Sequence, residues 1–283
     1  MLYVIGNKNF SVTVDSFGAQ LNSIKLNLKE KLWQNEDGSW DGHAPFLFPN
    51  CGTFTLKSDG VSYSTIQHGF VKNKEFSAVK QTETELWLNT KYDNDTLKVY
   101  PFKFSLTIKF SVVKSELSII TEVENLGDDT LYFATGGHES YALDGDLQDY
   151  YVEFQKTEKL LRLFHNDKGV LTGKTVVYPE SRFLKFTEIP IVGNETLIFK
   201  DIRSRWCKLV KNNGEVIAKT FFDGIKNLLF WKTEFGRFVC IEPWMNLPDT
   251  ENVSPQDISQ TQGFIAVSAG EKHAITRKII YYR

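Results

Sequence analysis

The sequence predicts an all-β fold, with many antiparallel strands in packed sheets, and three observations predict it. Apolar and polar residues alternate with a period of two along much of the chain. The composition is rich in residues suited to a pleated, half-buried surface, with 22 Phe and 14% aromatics overall. Turn clusters punctuate the runs, and sustained helical periodicity is scarce.

The clearest strand is the stretch in which Phe102, Phe104, Leu106, Ile108, Phe110 and Val112 share one face. Lys103, Ser105, Thr107, Lys109 and Ser111 occupy the other. Lys114-Ser115-Glu116 then separates it from Leu117, Ile119, Thr121 and Val123, which predicts a hairpin. Shorter strands are expected at Leu2–Ile5, Phe10–Val14, Leu86–Leu88, Val152–Phe154, Thr196–Phe199, Leu228–Trp231, Phe238–Ile241 and Ile279–Tyr282. Asn125-Leu126-Gly127-Asp128, Asn212-Asn213-Gly214 and Asp223-Gly224 supply turns. Ala142–Gln148 and Gln256–Gln260 are expected to make a helical turn or two. At 283 residues the chain is long for one domain, but all-β sandwiches reach this size as one unit. No Gly/Ser- or Pro-rich linker and no internal repeat divides it, so one domain over residues 1–283 is expected.

Composition also excludes function classes. A hydrophobic content of 41% allows a large core, which excludes global disorder. The formal net charge is −2 without a long like-charge block, which argues against a phosphate-tracking nucleic-acid surface. Residues 1–20 lack a basic segment followed by an apolar one, so no secretory signal is expected. No apolar run approaches the roughly 20 residues needed to cross a bilayer. Cys51, Cys207 and Cys240 are odd in number and widely spaced, which predicts buried free thiols in a reduced, cytoplasmic setting.

Candidate chemistry gathers around His138, His68 and Glu242. His138 lies in Gly136-Gly137-His138-Glu139-Ser140-Tyr141, where the two glycines let backbone approach closely. His68 is also beside a glycine, in Gln67-His68-Gly69-Phe70. Glu242 follows the apolar run Phe238-Val239-Cys240-Ile241, so partial desolvation is expected to raise its pKa. Trp244, two residues on, offers a flat apolar wall suited to the C–H face of a sugar ring. No two histidines stand at ligand spacing on one element, so no metal site is expected. No phosphate-binding glycine loop and no GxSxG elbow occurs.

The order of further segments carries a resemblance that spans nearly the whole chain. It runs through Gly18-Ala19-Gln20-Leu21-Asn22-Ser23-Ile24, Leu32-Trp33-Gln34, Trp40, Ala44-Pro45-Phe46-Leu47-Phe48-Pro49, Gln67-His68-Gly69-Phe70, Gly136-Gly137-His138 and Cys240-Ile241-Glu242-Pro243-Trp244, with Asp249 nearby. In these motifs the chain resembles the aldose 1-epimerase (galactose mutarotase) family, and within it the LacX-like branch. The resemblance implies a large antiparallel β-supersandwich with a concave sugar site built from strand ends. It implies Glu242 as general base, His138 as general acid and His68 as the second site histidine. Glu195, in Asn194-Glu195-Thr196-Leu197, stands where the family places a sugar-binding Asp. No cofactor is implied, and the expected partner is a small sugar, with the chain a monomer or homodimer.

The chain also departs from the family pattern. Thr53 stands where a sugar-binding Arg is usual, Val71-Lys72 replaces Ala-Arg, and Glu139 replaces a Pro. Lys72, Trp244, Asp249 and Glu139 therefore join His68 and Glu195 as candidate sugar contacts. Two other readings accompany the free-hexose mutarotase. The absent Arg motivates a non-catalytic sugar binder. A mutarotase for a phosphorylated sugar would require Lys57, Lys72 and Lys74 to converge on the site.

Overall fold

A computed structural model of the chain describes residues 1–282. Two large antiparallel sheets dominate it. The nine-stranded sheet runs, from edge to edge, Ser181–Lys185, Tyr150–Glu158, Trp206–Lys211, Val216–Phe221, Lys272–Tyr281, Glu116–Asn125, Phe104–Val113, Glu85–Lys91 and Ser77–Gln81. The six-stranded sheet runs Glu139–Ala142, Phe238–Trp244, Asn227–Trp231, Leu197–Lys200, Leu161–His165 and Leu171–Val177. A four-stranded N-terminal sheet covers residues 2–30, and two small two-stranded pairs complete the β-structure.

The expected hairpin sits at the centre of the larger sheet. Phe104–Val113 pairs with Glu116–Asn125, bringing Leu117 opposite Val112, Ile119 opposite Phe110 and Val123 opposite Leu106. These cross-strand pairs share the buried face, as the two-residue alternation requires. Lys114, with φ 56°, closes the turn. The ladder begins at Phe104 and not at Phe102, because Pro101 lacks an amide donor and Phe102 packs half-buried beside it.

Phe104 shows how tightly this region packs. Its ring centroid lies 5.2 Å from that of Phe48, 5.8 Å from Tyr100 and 6.0 Å from Phe70. Phe104→Ala is expected to cost about 3–5 kcal/mol of unfolding free energy, because this fully buried site cannot collapse around the void. Urea denaturation checks this; a loss below about 1 kcal/mol would mean that the neighbouring rings refill the space.

The centre of the six-stranded sheet is buried on both faces, so Asn227–Trp231 and Phe238–Trp244 lack alternation. All seven residues of Phe238–Trp244 are buried. Val239 and Ile241 enter the main core between the sheets, whereas Phe238, Cys240 and Trp244 join smaller apolar clusters on the other side. Glu242 follows that second set by the pleat. The two sheets meet through apolar packing and two polar links: Tyr141 Oη lies 2.6 Å from Thr220 Oγ1, and Arg277 reaches Glu139.

The expected short strands all form, some longer than their apolar runs. Leu161–His165 and Leu171–Val177 were not anticipated. The second is a mostly exposed edge strand, with only Leu171 buried, so it carries no face pattern. The helical expectations are corrected. Residues 139–142 are strand, and only Leu147–Asp149 makes a 3₁₀ turn, with Gly145 at φ 114° interrupting the stretch. Ile258–Gln260 is likewise a single 3₁₀ turn, capped by Asp257, which accepts from Ser259 N–H. Among the described residues the only α-helix is the four-residue Thr96–Val99. No helix among the described residues is long and apolar enough to cross a membrane.

Candidate functional site

On the outer face of the six-stranded sheet lies a cleft of about 680 Å³. In-register residues of three neighbouring strands form its floor: Glu242 opposite Leu229, and Leu229 opposite Ile198. His138, His68, Lys72, Trp40, Trp231 and Trp244 rise around that floor. A neighbouring cavity of about 440 Å³ shares Pro248 with the cleft, but no histidine faces it.

Backbone pairing fixes the catalytic candidates. Gly137 N–H donates to Pro243 O at 2.9 Å, and Met245 N–H donates to Thr135 O at 3.1 Å. These bonds hold the segment before His138 against the segment around Glu242. His138 Nε2 consequently stands 3.3 Å from Glu242 Oε2. A Cβ on Gly137 would lie 2.2 Å from Arg277 Nη1 and 2.6 Å from Glu139 Oε2, so a side chain there would displace that ion pair.

His68 is held differently. It adopts a left-handed φ of 67°, followed by Gly69 at 72°. A Cβ on Gly69 would sit 1.9 Å from Phe48 O, so only glycine lets the two segments meet. Gly52 N–H donates to His68 Nδ1 at 3.2 Å. The ring proton is therefore on Nε2, which has no partner among the described residues and is available to a ligand. The His68 ring stands edge-on to both His138 and Trp244, with centroids 5.1 and 5.2 Å away.

Burial governs the charges here. Desolvation pushes Glu242 well above the ordinary carboxylate range; nearby Glu139 adds to this, and the Trp244 indole N–H acts in the opposite sense. Desolvation lowers His138 to about 4, with a smaller contribution from the Lys72 cation. His68 is also held well below the usual imidazole value, first by burial and then by His138 and Lys72. Both members of the Glu242/His138 pair are thus driven toward their neutral forms.

The other sequence candidates divide. Lys72 lines the cleft, half-buried, with no ion-pair partner among the described residues. Trp244 lines it too but is only 4% exposed. Glu139 is corrected: it faces Arg277 beneath the sheet, because the pleat turns residue 139 away from the side that presents residue 138. Glu195 is also corrected, since its carboxylate binds Arg162 and does not border the cleft. Asp249 borders the neighbouring cavity, where its carboxylate accepts Thr55 N–H at 2.7 Å.

The lysine cluster required by a phosphorylated sugar does not assemble. Lys74 is paired with Asp93, and Lys57 lies outside the cleft. Thr53 places no cation there; its hydroxyl donates to Lys168 O at 3.1 Å and secures the loop at the cleft edge. Lys168 is the second cation bordering the cleft. His165 also borders it, but both its nitrogens are engaged, by Asn166 O at 2.8 Å and Thr196 N–H at 3.0 Å.

Sequence reasoning did not single out Trp40 and Trp231 as site residues. Trp40 stacks on His138 with centroids 5.6 Å apart and meets Trp231 edge-on at 5.1 Å. Both are half-buried, and together they form the partly exposed aromatic wall expected from Trp244. A signal existed for Trp231: it ends an apolar strand one alternation beyond Leu229, the neighbour of Glu242.

Comparison with known proteins gives a consistent picture. The family model described as aldose 1-epimerase matches residues 1–277. Protein LacX of Lactococcus lactis subsp. lactis (plasmid form) is 25% identical over 267 residues, covering 87% of this chain and 88% of that one. A galactose mutarotase related enzyme from Lactobacillus acidophilus superposes with a TM-score of 0.90 at 24% identity, over 100% of this chain and 98% of that one. A galactose mutarotase-like protein from Lactobacillus casei gives a TM-score of 0.88 at 22% identity, over 100% of both chains. These two structures share the fold.

Proposed function

Because the chain belongs to the aldose 1-epimerase family, we propose that its cleft interconverts the two anomers of a free hexose. One observation carries this reading: a carboxylate and an imidazole stand 3.3 Å apart at the floor of an open cleft. Three tryptophans beside that pair suit the C–H faces of a sugar ring. Three buried free cysteines fit a reducing compartment, and the cytoplasm is the proposed location.

In this mechanism the resting pair carries one proton more than a carboxylate with a neutral imidazole, and burial favours that proton on Glu242. Its transfer to His138 Nε2 gives a carboxylate beside an imidazolium, the form that can act as base and acid together. Glu242 then takes the proton of the C1 hydroxyl while His138 protonates the ring oxygen, and the C1–O5 bond breaks. The ring opens to an aldehyde and a C5 hydroxyl. Rotation about C1–C2 presents the other carbonyl face. On closure His138 recovers the proton from the C5 hydroxyl as that oxygen attacks C1, and Glu242 returns its proton to O1. The Nε2–H of His68 is a ready donor to a sugar oxygen. Each positioned proton-transfer group supplies about 10²–10⁴ in rate.

Saturation-transfer NMR on the anomeric protons of galactose, glucose and related aldoses tests this reading. Enhanced exchange supports it; no enhancement for any sugar, free or phosphorylated, would leave a sugar-binding protein as the better description. The unpaired Lys72 favours including a phosphorylated hexose in the panel.

The proton count also sets a pH profile. Because the active and resting forms hold the same number of protons, activity should be flat across the middle of the range. On the acid side the pair gains a second proton as pH falls through about 4, the lowered His138 value, and the base is lost. On the alkaline side the pair loses its proton above the raised Glu242 value, well beyond the ordinary carboxylate range, and the acid is lost. Each limb should fall about tenfold per pH unit in kcat/KM. A profile that already falls between pH 7 and 5 would assign the acid limb to an ordinary histidine and contradict this pairing.

A further inference from the structure

We propose that Cys240 joins His138 and Glu242 in a binding site for a borderline divalent cation such as Zn²⁺, and that the bound ion switches the proposed mutarotase off. The inhibitory part rests on the function proposed above; the binding part stands by itself.

The geometry carries the proposal. Cys240 and Glu242 are two residues apart on one strand, so the pleat places their side chains on the same face. His138 reaches that face from the neighbouring segment. One ligand atom of each residue lies within 4.8 Å of the other two, and all three residues are buried. The His138 Nε2 to Glu242 Oε2 separation of 3.3 Å fits two donors bound to one tetrahedral ion. Donors about 2.05 Å from such an ion stand roughly 3.3 Å from one another. Sulfur, nitrogen and oxygen together suit zinc or cadmium and disfavour magnesium or calcium. His138 and Glu242 line the cleft, which gives the ion a route in.

Along the sequence the three residues share no recognised metal spacing, since the site forms only when two segments meet. The alternative role for Cys240 is packing alone, beside Trp33 and Phe238. The two roles differ in one respect: packing never requires the thiolate.

Binding at neutral pH is a proton exchange. The Cys240 thiol gives up its proton to bind as thiolate, Glu242 binds as carboxylate, and His138 gives its Nε2 lone pair. The product is an ion held by thiolate, carboxylate and neutral imidazole, with protons released to solvent. In that state Glu242 cannot accept the C1 hydroxyl proton, and His138 cannot protonate the ring oxygen.

Cadmium titration of the intact chain tests the site, because a cadmium–thiolate bond gives an ultraviolet charge-transfer band. We expect one equivalent to produce the band, protons to be released in calorimetry at neutral pH, and affinity to rise with pH. Cys240→Ser should lose the band and bind at least tenfold more weakly while keeping its metal-free anomer exchange. Cys240→Ala provides the same comparison if the hydroxyl is not tolerated. Zinc at one equivalent should abolish wild-type exchange, and a chelator should restore it. Cadmium binding without a thiolate band, or equal affinity in the wild type and the Cys240 variants, would overturn the site. If the wild type proves inactive on every sugar, the band, proton release and variant affinities still decide the metal site by themselves.

Discussion

Glu242→Gln is expected to lower anomer exchange by about 10²–10⁴ while leaving the fold in place. The size follows from the loss of the group that takes and returns the C1 proton. The preserved fold follows from the resting charge. Burial drives Glu242 toward its neutral form, which an amide of the same shape resembles. The urea midpoint should therefore correspond to a stability change within about 1 kcal/mol. Side-by-side saturation transfer with wild type and variant, with denaturation on the same samples, measures both quantities. Exchange that survives within a factor of three in a folded variant would remove Glu242 from the chemistry. Sugar binding without exchange in both proteins would instead favour a binding role.

Much of the fold was legible because the central strands each have one wet face. The Phe104–Val113 and Glu116–Asn125 hairpin shows alternation in both arms, and its register could be read from the turn. The six-stranded sheet was harder. Phe238–Trp244 is buried on both sides, so its residues show no period, and only the flanking polar segments marked its ends. The edge strand Leu171–Val177 has almost no buried face, and pattern reading had nothing to find there. Within the site, Glu242, His138 and His68 were legible from motif resemblance and local glycines. Glu139, Glu195 and Asp249 were assigned by adjacency or alignment, which cannot say to which face of a sheet a side chain turns. Trp40 reaches the cleft along a loop held by Trp33, whose indole N–H donates to Trp40 O at 2.9 Å, a contact visible only in three dimensions.

A second large effect on stability is expected from the residue beneath the site. Arg277 Nη1 lies 2.7 and 2.9 Å from the two carboxylate oxygens of Glu139, and the side chains are only 5% and 3% exposed. The pair joins the strand Lys272–Tyr281 of the larger sheet to Glu139–Ala142 of the smaller, directly below His138. Two buried ions attract strongly, but each also forfeits its hydration, so the intact pair adds little net stability. Removing one partner is another matter. Arg277→Met would leave a carboxylate between the sheets without counter-charge or water, at a cost of about 3–5 kcal/mol. The proper control is Glu139→Gln combined with Arg277→Met, which removes both charges and should recover a large part of that loss. Urea denaturation of wild type, both single variants and the double variant closes the cycle. If Arg277→Met costs under about 1 kcal/mol, Glu139 must find water or a proton without strain, and the inter-sheet pair is not what fixes the floor of the cleft. If the double variant is no more stable than Arg277→Met alone, the damage comes from lost packing of the long Arg277 side chain and not from the stranded charge.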